Sequence, residues 1–205
     1  MVPKKPCYWN GRFKREPFPW GKAQSKLADM AQQIFHDAGH KRILDLGCGS
    51  GRDSVYLARK GFNVVGMDPS HLAIRIARNW AKRSNLRIRF LREELQSTRL
   101  RPNSFDGIFS YNSLQYLLTQ RERKMGVEKL VQILKPNGLL VLSVFSEREK
   151  SKKKGRDVHL FTRKELLDLF SPHFEIIELK RIAFPEEHGG KRHVHQEWLF
   201  VGKRK

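Results

Sequence analysis

The chain has 205 residues, enough for one sizeable hydrophobic core and too few for two independent ones, which predicts a single domain. Its 39% hydrophobic residues argue against intrinsic disorder, and no stretch approaches the roughly 20 apolar residues of a membrane-spanning helix. The 41 Lys and Arg outnumber the 21 Asp and Glu, and a net charge of +20 indicates either a nucleic-acid partner or simply a well-solvated basic surface.

The first forty residues predict a flap and a helix that belong to the same domain as residues 41–205. Basic side chains alternate with aromatic ones before Pro17 and Pro19, which interrupt regular structure. Apolar residues then recur at helical spacing over residues 22–38, so a helix is expected to lie against the main body.

From residue 42 onward, short apolar runs alternate with segments that are long enough for crossover helices. These runs cover residues 42–46, 62–67, 88–91, 107–110 and 139–145. The alternation predicts an α/β fold, a doubly wound and mostly parallel Rossmann-like sheet with helices on both faces. Thr119 with Glu122, and Thr162 with Glu165, have the spacing of capping boxes and predict two helix starts.

The C-terminal part predicts an antiparallel hairpin at one edge of this sheet. Its strands are expected at residues 173–182 and 194–201, with a long turn over residues 185–191 that contains Gly189 and Gly190. A basic loop at residues 147–156 precedes it. That loop is either solvated or the place where phosphates of an anionic acceptor would bind.

The first apolar run leads into a turn with glycines at positions 47, 49 and 51. Alternate glycines allow a sharp turn and a close approach of the backbone to a ligand, which is typical of a nucleoside-cofactor loop. A pyrophosphate is usually held by G-x-G-x-x-G, whereas the spacing here is G-x-G-x-G. Asp45 directly precedes the loop and would suit an ammonium group. Another Rossmann-type nucleotide site is the alternative.

A second acidic residue, Asp68, ends the next strand, where a carboxylate can accept hydrogen bonds from both ribose hydroxyls. With this residue, the chain resembles the class I S-adenosylmethionine-dependent methyltransferases. Asp45-Leu46-Gly47-Cys48-Gly49-Ser50-Gly51 matches the first motif of that family, and Asp68 matches its acidic second motif. The resemblance spans roughly residues 42–145.

The resemblance implies S-adenosyl-L-methionine as the cofactor and methyl transfer as the activity. It implies that the glycines hold the methionine portion, Asp45 its ammonium group and Asp68 the ribose. Glu93 and Glu94 are the alternatives for the adenine contact, with Glu94 preferred. The full set of expected cofactor residues is Asp45, Gly47, Cys48, Gly49, Gly51, Asp68, Pro69, Glu94, Leu95 and Tyr111.

Within that family, the small size, the aromatic flap and the closing hairpin resemble the tellurite-resistance and thiopurine type, which modifies small soft nucleophiles. The expected acceptor is therefore a small molecule. Because of the basic charge, a nucleic-acid methyltransferase is the alternative, and a binding module without turnover is a third reading. Candidate acceptor-side residues are Trp9, Trp20, Asn112, Tyr116 and His195.

Cysteine usage and the N-terminal residues bear on location and metal binding. Two cysteines, Cys7 and Cys48, are too few for a stabilising set of disulfide bonds, and no apolar N-terminal run resembles a signal peptide. Both observations predict a cytoplasmic protein. We expect no membrane partner and a monomer or weak homodimer. His193 and His195 share a strand face near His188, but they lack a second well-placed pair, so no metal is expected.

Overall fold

The computed structural model describes residues 5–149, 157–188 and 191–205. At residues 5–6, 186–188 and 191–193 it describes the backbone alone. Six α-helices are described: α1 Lys5–Arg15, α2 Lys26–Asp37, α3 Arg52–Arg59, α4 His71–Arg83, α5 Gln120–Ile133 and α6 Arg163–Phe170. Seven strands are described: β1 Arg42–Leu46, β2 Asn63–Met67, β3 Arg89–Leu91, β4 Phe105–Tyr111, β5 Leu134–Phe145, β6 Phe174–His188 and β7 Lys191–Arg204.

The strands form one sheet in the order β3-β2-β1-β4-β5-β7-β6. Strands β1 to β5 pair in parallel, whereas β7 runs antiparallel to both β5 and β6. The predicted doubly wound, mostly parallel sheet with a C-terminal hairpin is therefore confirmed. Since the strand order reverses between β1 and β4, the carboxyl ends of these two strands flank a crevice, which is where such sheets bind ligands.

Each face of the sheet carries its own hydrophobic core. On one face, Phe105, Ile108 and Leu142 pack with α5 and α6, and on the other Ile43, Phe109 and Val141 pack with α2. Parallel strands that are covered on both faces read as continuous apolar runs, which explains why the sequence revealed them.

Local capping explains where the helices begin. Thr119 and Glu122 form the predicted reciprocal capping box at the start of α5. At α6 only half of the predicted box forms: Thr162 accepts from the Glu165 amide, but the Glu165 carboxylate pairs with Arg123 at 2.8 Å and with His159. The Glu165 side chain thus connects α6 to α5 instead of closing the capping box.

Two expectations about irregular segments need correction. The N-terminal flap contains a helix, α1, in which Trp9 and Phe13 lie four residues apart and so share one face. The long turn expected over residues 185–191 is mostly strand, because β6 and β7 pair as far as His188 and Lys191. Pro185 is tolerated there because β6 is the outermost strand of the sheet.

Several predicted features lie outside the described residues. These are residues 150–156 of the basic loop, the pair Gly189 and Gly190, and the side chains of His188 and His193. In the described part of the chain, no helix combines the length and the apolar character needed to cross a bilayer.

Candidate active site

The glycine turn after β1 is held in place by its own backbone. The amides of Gly47 and Cys48 both donate to the carbonyl of Met67, at 2.8 and 3.1 Å, and the Gly51 amide donates to the Cys48 carbonyl. Gly47 has a φ of +76°, and a Cβ there would lie 2.6 Å from Cβ of Ser113. Only glycine fits this position without displacing the chain after β4.

Gly51 has a different role from the other two glycines of the turn. It stands at the start of α3 with a φ of +88°, and a Cβ there would lie 3.0 Å from Cβ of Ala77 in α4. It is absent from the described wall of the cavity that Gly47 and Gly49 line. Its glycine therefore allows α3 and α4 to approach each other, which is a packing role.

Asp68 ties this turn to the start of α4. Its Oδ2 accepts from the Gly49 amide at 3.0 Å, and its Oδ1 accepts from the Ser70 amide at 2.8 Å. Burial nevertheless raises the pKa of Asp68 to about 6, because the two hydrogen bonds offset only part of the desolvation. A carboxylate oxygen has two lone pairs, so each can still accept one bond from a ligand.

Asp45 lies deeper, at the end of β1, where its side chain is 2% exposed. Its carboxylate accepts a hydrogen bond from the Ser54 hydroxyl in α3. Burial, with the neighbouring charge of Asp53 as a second cause, raises the pKa of Asp45 to about 7. A cation placed beside this carboxylate would lower that pKa again and gain binding energy in doing so.

One cavity of about 630 Å³ at the carboxyl ends of the parallel strands is lined by Asp45, Gly47, Gly49 and Asp68, among others. Six carboxylate residues contribute to its wall: Asp45, Asp53, Asp68, Glu93, Glu94 and Glu122. Among the described residues, Arg52 is the single Lys or Arg that lines it, and this guanidinium is paired with Asp53 at 3.1 Å. The cavity of a protein with a net charge of +20 is thus locally acidic.

An aromatic wall covers the cavity from the side of α1. The Trp9 ring lies 5.3 Å from Tyr116 and 5.9 Å from Trp20, measured between ring centroids. Asn10 fastens α1 to α4, since its Oδ1 accepts from the Ser70 hydroxyl at 2.8 Å. The structure therefore brings together Trp9, Trp20 and Tyr116, three of the five predicted acceptor-side residues.

The other two predicted acceptor-side residues, Asn112 and His195, also line the cavity. Because β7 is antiparallel to β5, the first half of β7 reaches the carboxyl end of β5, and the centroid of the His195 ring lies 5.2 Å from that of the tilted Phe145 ring. Asn112 follows β4 with a φ of +52°, and its Nδ2 donates to Glu197 at 2.6 Å.

Sequence reasoning missed two carboxylates in this polar cluster. Glu149 lies with its Oε1 3.4 Å from Nδ1 of His195, and its Oε2 accepts from the Gln196 amide at 2.6 Å. Glu197 is fully buried. Glu197 could have been noticed because it shares a strand face with His195, but no pattern distinguishes Glu149 within its charged loop.

The remaining expected cofactor residues also line the cavity: Cys48, Pro69, Glu94, Leu95 and Tyr111. Glu93 and Glu94 differ in their surroundings. The Glu93 carboxylate accepts from the Thr98 hydroxyl and the Arg99 amide, which stabilises the turn after β3, while Glu94 is exposed at the cavity. Burial raises the pKa of the Cys48 thiol well above its ordinary value, so this cysteine is kept neutral.

The site suits a cationic nucleoside better than a pyrophosphate. Phosphate groups need free amides, but the amides of Gly47, Cys48, Gly49 and Gly51 are all used within the fold. The acidic wall would also repel a phosphate. The sulfonium and ammonium groups of S-adenosylmethionine fit both observations.

The fold is that of the class I S-adenosylmethionine-dependent methyltransferases. Residues 43–138 match a protein family described as a methyltransferase domain, and the chain carries that domain. The match covers β1 to the start of β5, which includes the glycine turn and Asp68.

Individual proteins agree with this assignment. A Geobacillus sp. (strain WCH70) protein that is named as a methyltransferase is 35% identical over 142 residues, which are 68% of this chain and 56% of that protein. The chain thus spans little more than half the length of this curated relative.

Two solved structures share the fold across nearly the whole chain. TehB from Haemophilus influenzae superimposes with a TM-score of 0.74 at 18% identity, covering 98% of this chain and 68% of the other. Magnesium protoporphyrin IX methyltransferase from Synechocystis PCC 6803, which has S-adenosylhomocysteine bound, gives 0.76 at 17% identity and covers 98% and 97%.

Proposed function

We propose that this protein transfers the methyl group of S-adenosylmethionine to a small-molecule acceptor. The observation that carries the proposal is the acidic cavity, which joins a glycine turn at one end to an aromatic and polar wall at the other. A chain with a large excess of Lys and Arg has placed six carboxylates around one binding space. Such an arrangement favours a cationic cofactor and disfavours phosphate-bearing ligands.

Each end of the proposed cofactor site has its own carboxylate. Asp45 would take the ammonium group of the methionine portion, directly or through water, and Gly47 and Gly49 would let the backbone approach it closely. Asp68 would accept the ribose hydroxyls, and Glu94 would face the adenine amino group. When bound, the cofactor supplies a methyl group already activated on a sulfonium.

The protein's remaining task is to place a nucleophile in line with that methyl group and to exclude water. Trp9, Trp20 and Tyr116 would cover the acceptor, and their contacts close the cavity on the side of α1. Orientation in a dry site can supply much of the rate for a soft nucleophile. His195 and Asn112 would hydrogen-bond the acceptor from the opposite wall.

Three observations support a small acceptor over a nucleic acid. The carboxylates of the cavity would repel an entering phosphodiester, whatever the charge of the outer surface. The structurally similar Synechocystis enzyme is named for magnesium protoporphyrin IX, a small molecule. The carboxylates of Glu149 and Glu197, which contact His195 and Asn112, likewise suit a neutral or cationic acceptor.

Label transfer tests this proposal directly. The protein would be incubated with cofactor labelled in the methyl group and with separate metabolite, RNA and protein fractions from cells. The wild-type protein is expected to transfer label to the metabolite fraction, and the Asp68→Ala variant is expected to transfer none. Label in the RNA fraction would overturn the acceptor assignment, and cofactor binding without transfer to any fraction would identify a binding module.

We further propose that residues 1–40 form one domain with residues 41–205, because α1 packs on α4 and α2 packs on β4 and β5. Limited proteolysis is then expected to give no stable fragment that lacks α1. A cytoplasmic location and a monomeric or weakly dimeric state are also proposed. Cell fractionation and light scattering would test them.

A further inference from the structure

The segment between Asp68 and Glu93 has an unusual charge pattern. Residues 69–92 contain seven Lys and Arg residues and no Asp or Glu. The seven are Arg75, Arg78, Lys82, Arg83, Arg87, Arg89 and Arg92, and all of them are exposed. The proposed methyltransferase function uses none of them.

Most of this segment is a rigid unit of helix and strand. Helix α4 buries Ala73, Ile74 and Ala77 against the body, and Nη2 of Arg78 donates to the Phe90 carbonyl in β3 at 2.7 Å. Arg75, Arg78 and Lys82 follow one another at i, i+3 and i+7, so they form a stripe along one side of the helix.

The cations stand at the edge of the sheet, because β3 is its outermost strand on this side. Within the described residues, none of the seven forms an ion pair with a carboxylate. Charges that repel one another without internal compensation cost stability, unless a polyanion neutralises them. The α4–β3 surface, defined by these seven residues, therefore has the chemistry of a binding face.

We propose that the α4–β3 surface binds a nucleic acid through its phosphate backbone. Six of the seven cations are arginines, whose planar guanidinium groups can bind phosphate oxygens in a bidentate manner. A backbone contact of this kind is independent of base sequence and is driven by the release of counterions.

An anionic membrane is a poorer fit for the same surface. Membrane-binding faces combine basic residues with large apolar side chains that enter the lipid. The large hydrophobic residues that are exposed in the described structure are Leu118, Met125, Ile177 and Val194, and none belongs to α4 or β3. The residues interspersed among the cations include Asn79 and Asn85, which are polar.

The proposed surface is separate from the acceptor end of the cavity. β3 is the first strand in the order of the sheet, whereas His195 lies on β7, the sixth. The nucleic acid is therefore a docking partner that would keep the enzyme at a site in the cell. The inference does not depend on the identity of the acceptor.

Fluorescence anisotropy with two labelled probes tests the proposal: a 20-nucleotide single-stranded RNA and a 20-base-pair DNA duplex. The triple variant R75E/R78E/K82E is compared with R121E/K124E/R163E, which changes the net charge equally at exposed positions of α5 and α6. We expect the first variant to weaken binding at least tenfold and the second to weaken it less than threefold. Loss of three contacts with RNA phosphates should also reduce the magnitude of the slope of log binding constant against log salt concentration by about 2.

Three outcomes would overturn the proposal. The first is an equal loss of nucleic-acid affinity in both triple variants. The second is that the wild-type protein binds neither probe at about 0.1 M salt. The third is that R75E/R78E/K82E weakens binding only to vesicles that contain phosphatidylserine, measured in parallel, and not to either nucleic acid. The thermal shift with S-adenosylhomocysteine should be the same in both variants and the wild type, which separates this test from that of the methyltransferase function. If the glutamate variant fails to fold, R75A/R78A/K82A keeps good helix formers and replaces it.

Discussion

Replacing Asp45 with Asn tests whether the cavity carries a buried charge that awaits a cation. Asn has nearly the same shape and can accept the Ser54 hydrogen bond, but it cannot ionise. In the wild-type protein, burial and the charge of Asp53 raise the pKa of Asp45 from 3.8 to about 7. The native state therefore holds a proton that the unfolded chain has already released between these pH values.

The magnitude follows from this shift. Three pKa units at 1.36 kcal/mol each give an upper bound of about 4 kcal/mol for the change in the free energy of unfolding that this titration causes. Because the folded pKa is the higher one, wild-type stability falls as pH rises from about 4 to about 7. The Asp45→Asn variant lacks this loss, so its stability relative to wild type should increase by about 2–4 kcal/mol between pH 4 and pH 8.

Urea denaturation at a series of pH values between these limits measures the difference. A constant offset from the Asn amide does not affect the test, because the reasoning concerns the change with pH. Asp37→Asn, an exposed carboxylate with a side chain 65% accessible, is the matched control and should show no such change. Parallel wild-type and Asp45→Asn stability curves would refute the argument. The Asp45→Asn variant should also lose the thermal shift that S-adenosylhomocysteine causes in the wild-type protein.

Three further substitutions examine other parts of the site. Asp68→Ala should abolish that thermal shift while the far-ultraviolet circular dichroism stays native; an unchanged dissociation constant in calorimetry would contradict the ribose assignment. Gly47→Ala should destabilise the fold by about 1–3 kcal/mol in urea denaturation, because φ is positive and the new Cβ meets Ser113, and Ser113→Gly should restore part of the loss. Trp9→Ala should open the aromatic wall and speed S-adenosylhomocysteine dissociation about tenfold in stopped-flow measurements, equivalent to about 1.4 kcal/mol; an unchanged rate would show that Trp9 does not close the cavity.

The parallel core of the fold was readable from sequence because its signals are local. Buried strands such as β1 and β5 contain apolar runs, and Gly47 and Pro69 mark the turns after β1 and β2. The errors fell where tertiary contacts decide the structure. Helix α1 forms where Trp9 and Phe13 line the cavity and Asn10 reaches α4, and the partners in these contacts lie far along the chain.

The two ends of the site differ in the same way. Most of the proposed cofactor end lies within residues 45–68, so the glycine spacing and Asp68 could be predicted together. The acceptor end depends on β7 returning antiparallel beside β5, which places Glu197 next to Asn112 across 85 positions of sequence. Glu149 reaches His195 from a loop whose charged composition resembles any solvated surface.

The distribution of charge connects these observations into one functional argument. Net charge alone left a nucleic-acid substrate as the alternative to a small molecule, and the structure separates the two signs: carboxylates line the cavity, and the arginines of α4 and β3 face solvent at the edge of the sheet. Under the proposed function, the carboxylates of the cavity would repel a phosphodiester, so a polyanion that is drawn to the outer surface would not be the group that enters. The basic surface and the proposed chemistry are therefore compatible only if docking and methyl transfer act on different molecules, or on a part of the docked molecule that carries no phosphate.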